Sequence, residues 1–353
     1  MNRSLALLFS ALILLPACTP ASAPAPPTAL PATDTAPPAA AAAAATNTAP
    51  PAATATPPPD VSAATAPPAT PVPTPAASPA PQGQAHFEDN LGLSDRLVVA
   101  AQNLPAPSAG AYVAWAQFEG SWQNLGTLQS QADGSAVLNW NSPHSENLLT
   151  TLQRVQITRE ENPGTAQPAG EVILHGELTP GQVVSAQRLF IQNREEPVTP
   201  KDTAYAQGLR AQAEVAAQHV QNAANAAAIG ALPEAHLHLE HVINVLEGAE
   251  GERFGDHTGD GVAQNPGDGF GVRRYAGQIH LLLGRDMPAE QLVQQTIGEV
   301  EDMCLQIIAL DDAEAVRAQL QILQDHTTAM QEQAVEALYR QAQQAITITL
   351  RTP

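Results

Sequence analysis

A long tract of small residues and prolines, residues 19–85, restricts where this chain can form a folded core. The tract consists mostly of Ala, Pro and Thr, and its only ionised side chains are those of Asp34 and Asp60. It contains too little bulky apolar surface to offset the entropy lost on ordering, and its prolines favour extended segments. We therefore predict a disordered, semi-rigid linker over residues 19–85, with the folded part in residues 86–353.

The residues before this tract have the pattern of an export signal. One positive charge, at Arg3, precedes an apolar run from Leu5 to Leu15, which is shorter than the ~20 residues of a membrane-spanning helix. The tetrapeptide LPAC then resembles a bacterial lipobox, the cleavage site of lipoprotein signal peptides. We predict a lipoprotein signal peptide over residues 1–18 with lipidation of Cys18. Ordinary secretion, with an incidental Cys18, is the alternative.

The predicted location follows from the lipid and from the charge of the chain. Acyl chains contribute about 0.8 kcal/mol per buried methylene, so a multiply acylated Cys18 would hold the protein at the bacterial cell membrane. The formal net charge of −20 opposes attraction to anionic lipids and to nucleic acids. The sequence thus predicts an extracytoplasmic protein whose partners are the membrane, through its lipid anchor, and an unidentified envelope protein or ligand.

Short apolar runs separated by turn residues occupy residues 86–196. Six of these runs favour β-strands: 95–102, 111–118, 122–128, 135–140, 152–159 and 171–177. Strands at this spacing are typical of an antiparallel sandwich, and the aromatic residues among them are the expected core. Those aromatic residues are Tyr112, Trp115, Trp122 and Trp140.

The order of several motifs in this region resembles a known family. A strand is followed by LPAPSAG, a Tyr-x-x-Trp strand at Tyr112 and Trp115, a Leu-Gly pair at 125–126 and Asp-Gly-Ser-Ala at 133–136. Over about residues 93–178 this order is similar to the extracytoplasmic C-terminal domain of anti-sigma-K factors. The resemblance implies a sandwich that senses or binds outside the cell and has no catalytic residues. It does not imply sigma-factor inhibition, which in that family requires a cytoplasmic domain that is not recognisable in this sequence.

After Pro197 the apolar spacing changes from alternation to a period of about 3.6 residues, which is that of α-helices. This spacing predicts five helices: 202–229, 233–248, 272–283, 288–310 and one from 311 into the 340s, where ITITL favours a strand. Small residues dominate the helices, so we expect them to approach closely. The predicted fold is an all-β antiparallel sandwich over 86–196, followed by an all-α helical bundle over 197–353.

An Asp- and Gly-rich loop at 255–271 lies between the second and third predicted helices. A helix–loop–helix with oxygen ligands at alternating positions is the arrangement of EF-hand calcium sites. The candidate ligands are Asp256, Thr258, Asp260, Val262 through its carbonyl, and Gln264. The twelfth position, a bidentate Glu in such loops, is Gly267 here, so Asp268 has to substitute for it. The loop predicts a calcium site, and a turn that binds no ion is the alternative.

Histidines of the helical region form a second candidate metal site. His238 and His241 are three residues apart on one helix face, and His219 on the preceding helix is placed to face them across a hairpin. Imidazoles bind zinc, copper or haem iron. Residues 216–248 also resemble, weakly, small periplasmic metal-binding helical proteins that carry histidines. Exposed or core-capping histidines without a metal are the alternative.

No pattern in the sequence predicts catalysis. It contains no HExxH, no GxSxG and no phosphate-binding glycine loop, and Cys304 lies on an apolar helix face where a small core residue is expected. We therefore expect a protein that is not an enzyme: a membrane-anchored lipoprotein acting as a binding or sensing module, with calcium as a candidate stabilising ion. A carrier of transition metal or haem, and a passive cell-surface spacer, are the alternatives.

Overall fold

The structure, a computed structural model, describes residues 79–353 except Ser108 and Arg285. The predicted signal peptide, Cys18 and the linker as far as residue 78 lie outside the described residues. The described chain forms two four-stranded antiparallel sheets and a group of helices, all within one compact unit. This confirms the predicted fold class, a sandwich followed by a helical bundle.

Eight strands make up the sandwich. They are β1 (Gln82–Glu88), β2 (Arg96–Gln102), β3 (Ala111–Phe118), β4 (Ser121–Thr127), β5 (Ala136–Asn141), β6 (Leu152–Glu160), β7 (Glu171–Glu177) and β8 (Ile348–Leu350). One sheet has the order β5-β2-β1-β8 and the other β4-β3-β6-β7. The six strands predicted from alternation correspond to β2–β7 within two residues at each end.

Strand β1 corrects the predicted linker boundary. It begins at Gln82, inside the residues assigned to the linker, and pairs antiparallel with β2 along its whole length. Its inward side chains include Ala85 and Phe87, which are buried. Phe87 is the only bulky apolar residue of the strand, so its sequence carries no clear alternation to mark it.

Two of the four expected core aromatics do not lie at the centre of the sandwich. Trp115 and Tyr112 are fully buried, whereas Trp122 and Trp140 are only partly buried. Trp140 stacks on Phe118 with ring centroids 5.8 Å apart. Trp122 lies on β4 and Trp140 on β5, and each of these strands is at the edge of its sheet, where burial is less complete.

The last residues of the chain return to the sandwich. In β8, Ile348 pairs with Ala85 of β1, and the next residues reach the other sheet, where Arg351 and His175 exchange two backbone hydrogen bonds of 2.9 Å. The bundle therefore does not extend to residue 353, because residues 348–350 belong to a sheet. The ITITL segment does form the predicted strand, and its pairing partner lies at the other end of the folded chain, which periodicity alone does not reveal.

The helical part begins inside the residues assigned to the sandwich. The helices are α1 (Pro180–Ala186), α2 (Tyr205–Ala228), α3 (Leu232–Glu247), α4 (Val272–Leu283), α5 (Pro288–Ile308), α6 (Ala313–Ala329) and α7 (Glu336–Ala345). Helix α1, capped by Thr179 and Gln182, was not predicted because it is only two turns long. The predicted fifth helix is divided into α6 and α7 by a π-helical turn, Met330–Val335.

Helices α2 and α3 form a tight antiparallel hairpin with a turn at Gly230. The buried face of α2 is mostly Ala, which lets the partner helix approach closely. Helix α4 also approaches α2 closely, because a Cβ on Gly208 would lie 2.1 Å from the Tyr275 ring. This packing fixes the relative positions of side chains on α2 and α3.

Arg210 joins the bundle to the sandwich. Its guanidinium donates to Asp89, just after β1, at 2.8 Å and to Glu336 of α7 at 2.6 Å. The same group lies 3.2 Å from the centroid of the Tyr339 ring. The sandwich and the helical bundle are therefore held together by a partly buried ionic network as well as by β8.

Candidate metal centre

The α2–α3 hairpin brings together the three histidines that the sequence singled out. His219 lies on α2, and His238 and His241 lie one turn apart on α3. One ring nitrogen of each lies within 4.8 Å of those of the other two. Within residues 79–353 as described, this is the one group of three or more histidine, cysteine or acidic side chains that converge in this way.

The separation of the ring nitrogens suits a metal ion. The Nδ1 atoms of His219 and His238 are 3.1 Å apart. Zinc–nitrogen bonds of 2.0–2.1 Å in a tetrahedral site place neighbouring ligand atoms about 3.4 Å apart. The rings of His219 and His241 are perpendicular, with centroids 4.9 Å apart, so the imidazoles converge edge to face rather than stacking. The three rings therefore lie near the spacing that a shared ion requires.

His241 is the most informative member of this histidine triad. Only 7% of it is exposed, and neither of its ring nitrogens has a hydrogen-bond partner. A buried polar group left without a partner costs about 1–3 kcal/mol. Such a group in a native structure calls for an explanation, and an ion is one of the ordinary ones.

Two members of the triad, His219 and His241, favour the neutral imidazole, which is the form that binds metals. Burial, followed by the nearby charges of His241 and His238, lowers the pKa of His219 to about 4. Burial and the charge of His238 also lower the pKa of His241. His219 is therefore neutral at pH 7, and the lowered pKa of His241 favours the same form, which offers a lone pair to a cation.

In the Asp/Gly loop, the first predicted calcium ligand, Asp256, bonds to the backbone of its own turn. The whole connection between α3 and α4, which contains this loop, spans residues 248–271 and is twice the length of an EF-hand loop. The Asp256 carboxylate accepts backbone N–H groups from Gly259 at 2.6 Å, Asp260 at 3.2 Å and Gly261 at 2.8 Å. These hydrogen bonds lower the pKa of Asp256, and the bond from Gly261 has the largest effect. Asp256 therefore holds a turn, as in the alternative considered for this sequence.

The two other aspartates among the predicted calcium ligands are also engaged within the protein. Asp260 accepts the N–H of Val262 at 2.8 Å. Asp268 accepts the Phe270 N–H at 2.9 Å and the Tyr275 hydroxyl at 2.8 Å. The three aspartates do not converge as the histidines do among the described residues. Calcium binding here stays a prediction without a gathered set of ligands.

Two buried polar residues of α3 that hold the following loop were not identified from the sequence. Glu240 is fully buried, and its Oε2 accepts the backbone N–H groups of His257 at 2.8 Å and Thr258 at 3.0 Å. Asn244 is also fully buried and bonds to the same loop. The available signal was a carboxylate and an amide within the apolar stretch HLEHVINV, where a buried polar residue needs a partner.

Cys304 lies where the sequence placed it, in the core. It is fully buried on α5, and burial raises the pKa of its thiol well above the ordinary value. A thiol in this state is a poor nucleophile and a poor metal ligand.

No family model, curated protein or solved structure matches this chain. The resemblance of residues 93–178 to anti-sigma-K factor domains therefore stays a prediction, as does that of residues 216–248 to periplasmic metal-binding proteins. None of the helices in the described residues is long and apolar enough to cross a membrane.

Proposed function

We propose that the folded head of this protein is a transition-metal-binding module that binds one Zn²⁺ or Cu²⁺ ion through His219, His238 and His241. The observation that carries the proposal is the convergence of three imidazoles around His241, which is buried with both ring nitrogens unpaired. Among the alternatives raised by the sequence, this corresponds to the metal-binding carrier.

The chemistry of the donors selects the class of ion. Three neutral nitrogen ligands suit borderline metals such as zinc and copper, whereas calcium and magnesium prefer oxygen. Copper(II) binds such sites more tightly than zinc, so we expect Cu²⁺ to compete successfully with Zn²⁺. Three protein ligands leave a further coordination position for water or an exchangeable ligand. An open position suits a module that acquires and releases its ion.

The remaining parts of the chain fit this role in the envelope. A lipid on Cys18 and the linker would hold the head away from the membrane, where it can reach exported metal ions or an envelope partner. The acidic surface, part of a net charge of −20, raises the local concentration of cations. The proposal needs no catalytic step, and it keeps the sandwich available as a binding or sensing surface.

The test is a metal titration of the chain from residue 19 onward, purified with an affinity tag that contains no histidine. We expect one Zn²⁺ or Cu²⁺ per chain, and a loss of affinity greater than the ~10–100-fold typical of outer-shell changes in His219→Ala, His238→Ala and His241→Ala. His326→Ala is the matched control, because His326 is an exposed histidine on α6. Equal binding by the wild type and the His241→Ala variant would refute the proposal.

A further inference from the structure

Glu301 is an acidic side chain that lies inside the helical bundle. It belongs to α5 and is fully buried. Its Oε2 accepts from Nη2 of Arg273 at 2.9 Å, whereas its Oε1 is buried without a hydrogen-bond donor among the described residues. An ionised carboxylate in a dry interior is stable only when its charge is paired and its oxygens are hydrogen-bonded. Glu301 meets this condition at one oxygen only, which favours its protonated form.

Glu247, the last residue of α3, binds the same guanidinium. Arg273 of α4 donates its Nε–H to Oε1 of Glu247 at 2.7 Å and an Nη2–H to Oε2 of Glu301 at 2.9 Å. These two N–H groups form the parallel fork with which arginine usually binds both oxygens of one carboxylate. Here each N–H binds a different acid, so the accepting oxygens of Glu247 and Glu301 lie side by side. Glu247 is only 5% exposed, so neither acid is well solvated.

The charged groups around this pair do not balance two carboxylates. Arg273 is shared between the two acids. Arg253, from the loop after α3, lies 3.5 Å from Glu301, but it donates to Asp302 at 2.6 Å and its side chain is 41% exposed. Cys304, also on α5, is fully buried, and burial raises the pKa of its thiol, which keeps it neutral. The pair is therefore faced by one shared cation, which balances one negative charge and not two.

The two acids respond to this environment in opposite directions. Burial raises the pKa of Glu301 to about 8, against the attraction of Arg273. Burial also acts to raise the pKa of Glu247, but the hydrogen bond with Glu301 and the charge of Arg273 outweigh it and leave that pKa below its ordinary value. Neighbouring acids whose pKa values separate in this way hold one proton between them.

We propose that Glu247 and Glu301 share one proton through a hydrogen bond between their side chains, which latches the end of α3 to α5 and is released in alkaline solution. Glu301 carries the proton and donates it, and Glu247 accepts. When the pH rises, the proton leaves Glu301 for the solvent, the two carboxylates repel each other, and the hydrogen bond between the helices is lost. The latch makes the packing of α3, the helix that carries His238 and His241, respond to pH. It does not depend on metal binding.

Infrared spectroscopy of the metal-free chain in D₂O tests the shared proton, because a protonated carboxyl group has its own C=O stretch. We expect such a band at pH 7 that disappears as the pH rises through about 8. Glu301→Gln should remove the band. Glu247→Gln removes the neighbouring negative charge, so the band should disappear at a lower pH than in the wild type. Glu299→Gln, at an exposed acid on the same helix, is the matched control and should change neither result.

The pH dependence of urea denaturation is the second measurement. Glutamine at position 301 keeps a hydrogen-bond donor and cannot ionise. Between pH 4.5 and 8 only the folded wild type holds this proton, so its unfolding equilibrium constant should rise about tenfold per pH unit relative to that of Glu301→Gln. Above pH 8 the ratio of the two constants should level off. A constant ratio between pH 4.5 and 8, a wild type without the band at pH 7, or an unchanged titration of the band in Glu247→Gln would each overturn the proposal.

Discussion

The histidine triad and the Asp/Gly loop lie side by side, and both contain residues that bind metals elsewhere, yet they differ in what those residues do. The ring nitrogens of His241 have no protein partner, whereas the oxygens of Asp256 and Asp268 are taken by backbone and hydroxyl donors. The donor atoms of a metal site have to be free of protein partners, while neighbouring residues hold their side chains in position. In a turn such as that of Asp256, the carboxylate oxygens accept backbone N–H groups and are no longer free for an ion.

The largest expected effect is a rise in unfolding temperature that occurs with transition metals and not with calcium. An ion that binds only the native state stabilises it by about 2.7 kcal/mol at 100 times its dissociation constant. We expect thermal unfolding to shift upward by a corresponding amount with Zn²⁺ or Cu²⁺ and to show no shift with millimolar Ca²⁺. The shift should disappear in His219→Ala. A shift produced by calcium, and lost in Asp260→Ala, would reverse the roles of the two regions.

A smaller effect is expected from Asp268→Ala. The substitution leaves the hydroxyl of Tyr275, a fully buried residue, without its acceptor, which should cost about 1–3 kcal/mol of unfolding free energy in urea denaturation. Metal affinity should stay within twofold of the wild type, because Asp268 serves the loop and not the triad. Glu252→Ala, at an exposed position of the same loop, is the matched control. A loss of zinc affinity comparable to that in the histidine variants would show that the two regions form one site.

The smallest effect concerns pH. The folded-state pKa of His219 is about 4, below the ordinary value of 6.5, so its effect on stability is lost as pH falls from 6.5 towards 4, where only the unfolded chain takes up the proton. Asp256 also has a lowered pKa, and its contribution is lost only below its ordinary value of 3.8.

The contribution of His219 to the stability of the metal-free protein should therefore be lost between pH 6.5 and 4, and this loss should be absent in His219→Gln. Burial raises the pKa of Glu301 to about 8, so its contribution has the opposite sign: it is full below 4.5 and lost as pH rises towards 8. Comparing the wild type with His219→Gln by urea denaturation across this range isolates the histidine. Identical pH profiles of unfolding free energy for the two proteins would contradict the lowered pKa of His219.

Local patterns predicted β2–β8 and most of the helices, and local spacing predicted the pairing of His238 with His241. His219 could be added because the short turn at Gly230 makes α2 and α3 antiparallel neighbours. These inferences depend on residues close in the chain, for which periodicity and turn chemistry are informative.

Contacts between distant residues were not accessible to the same reasoning. Strand β1 is too poor in apolar residues to be recognised, and β8 reaches it from the other end of the chain. The bonds from Glu240 and Asn244 to the loop span 11 to 20 residues. A sequence pattern names candidate ligands such as Asp256, but it does not show which oxygens the backbone already uses.

The most direct test is anomalous diffraction from crystals of the protein loaded with Zn²⁺ or Cu²⁺, recorded on either side of the metal absorption edge. We predict a single anomalous peak between the ring nitrogens of His219, His238 and His241. A peak within the turn formed by Asp256 and Asp260, or no ordered metal in a protein that binds the ion in solution, would contradict it.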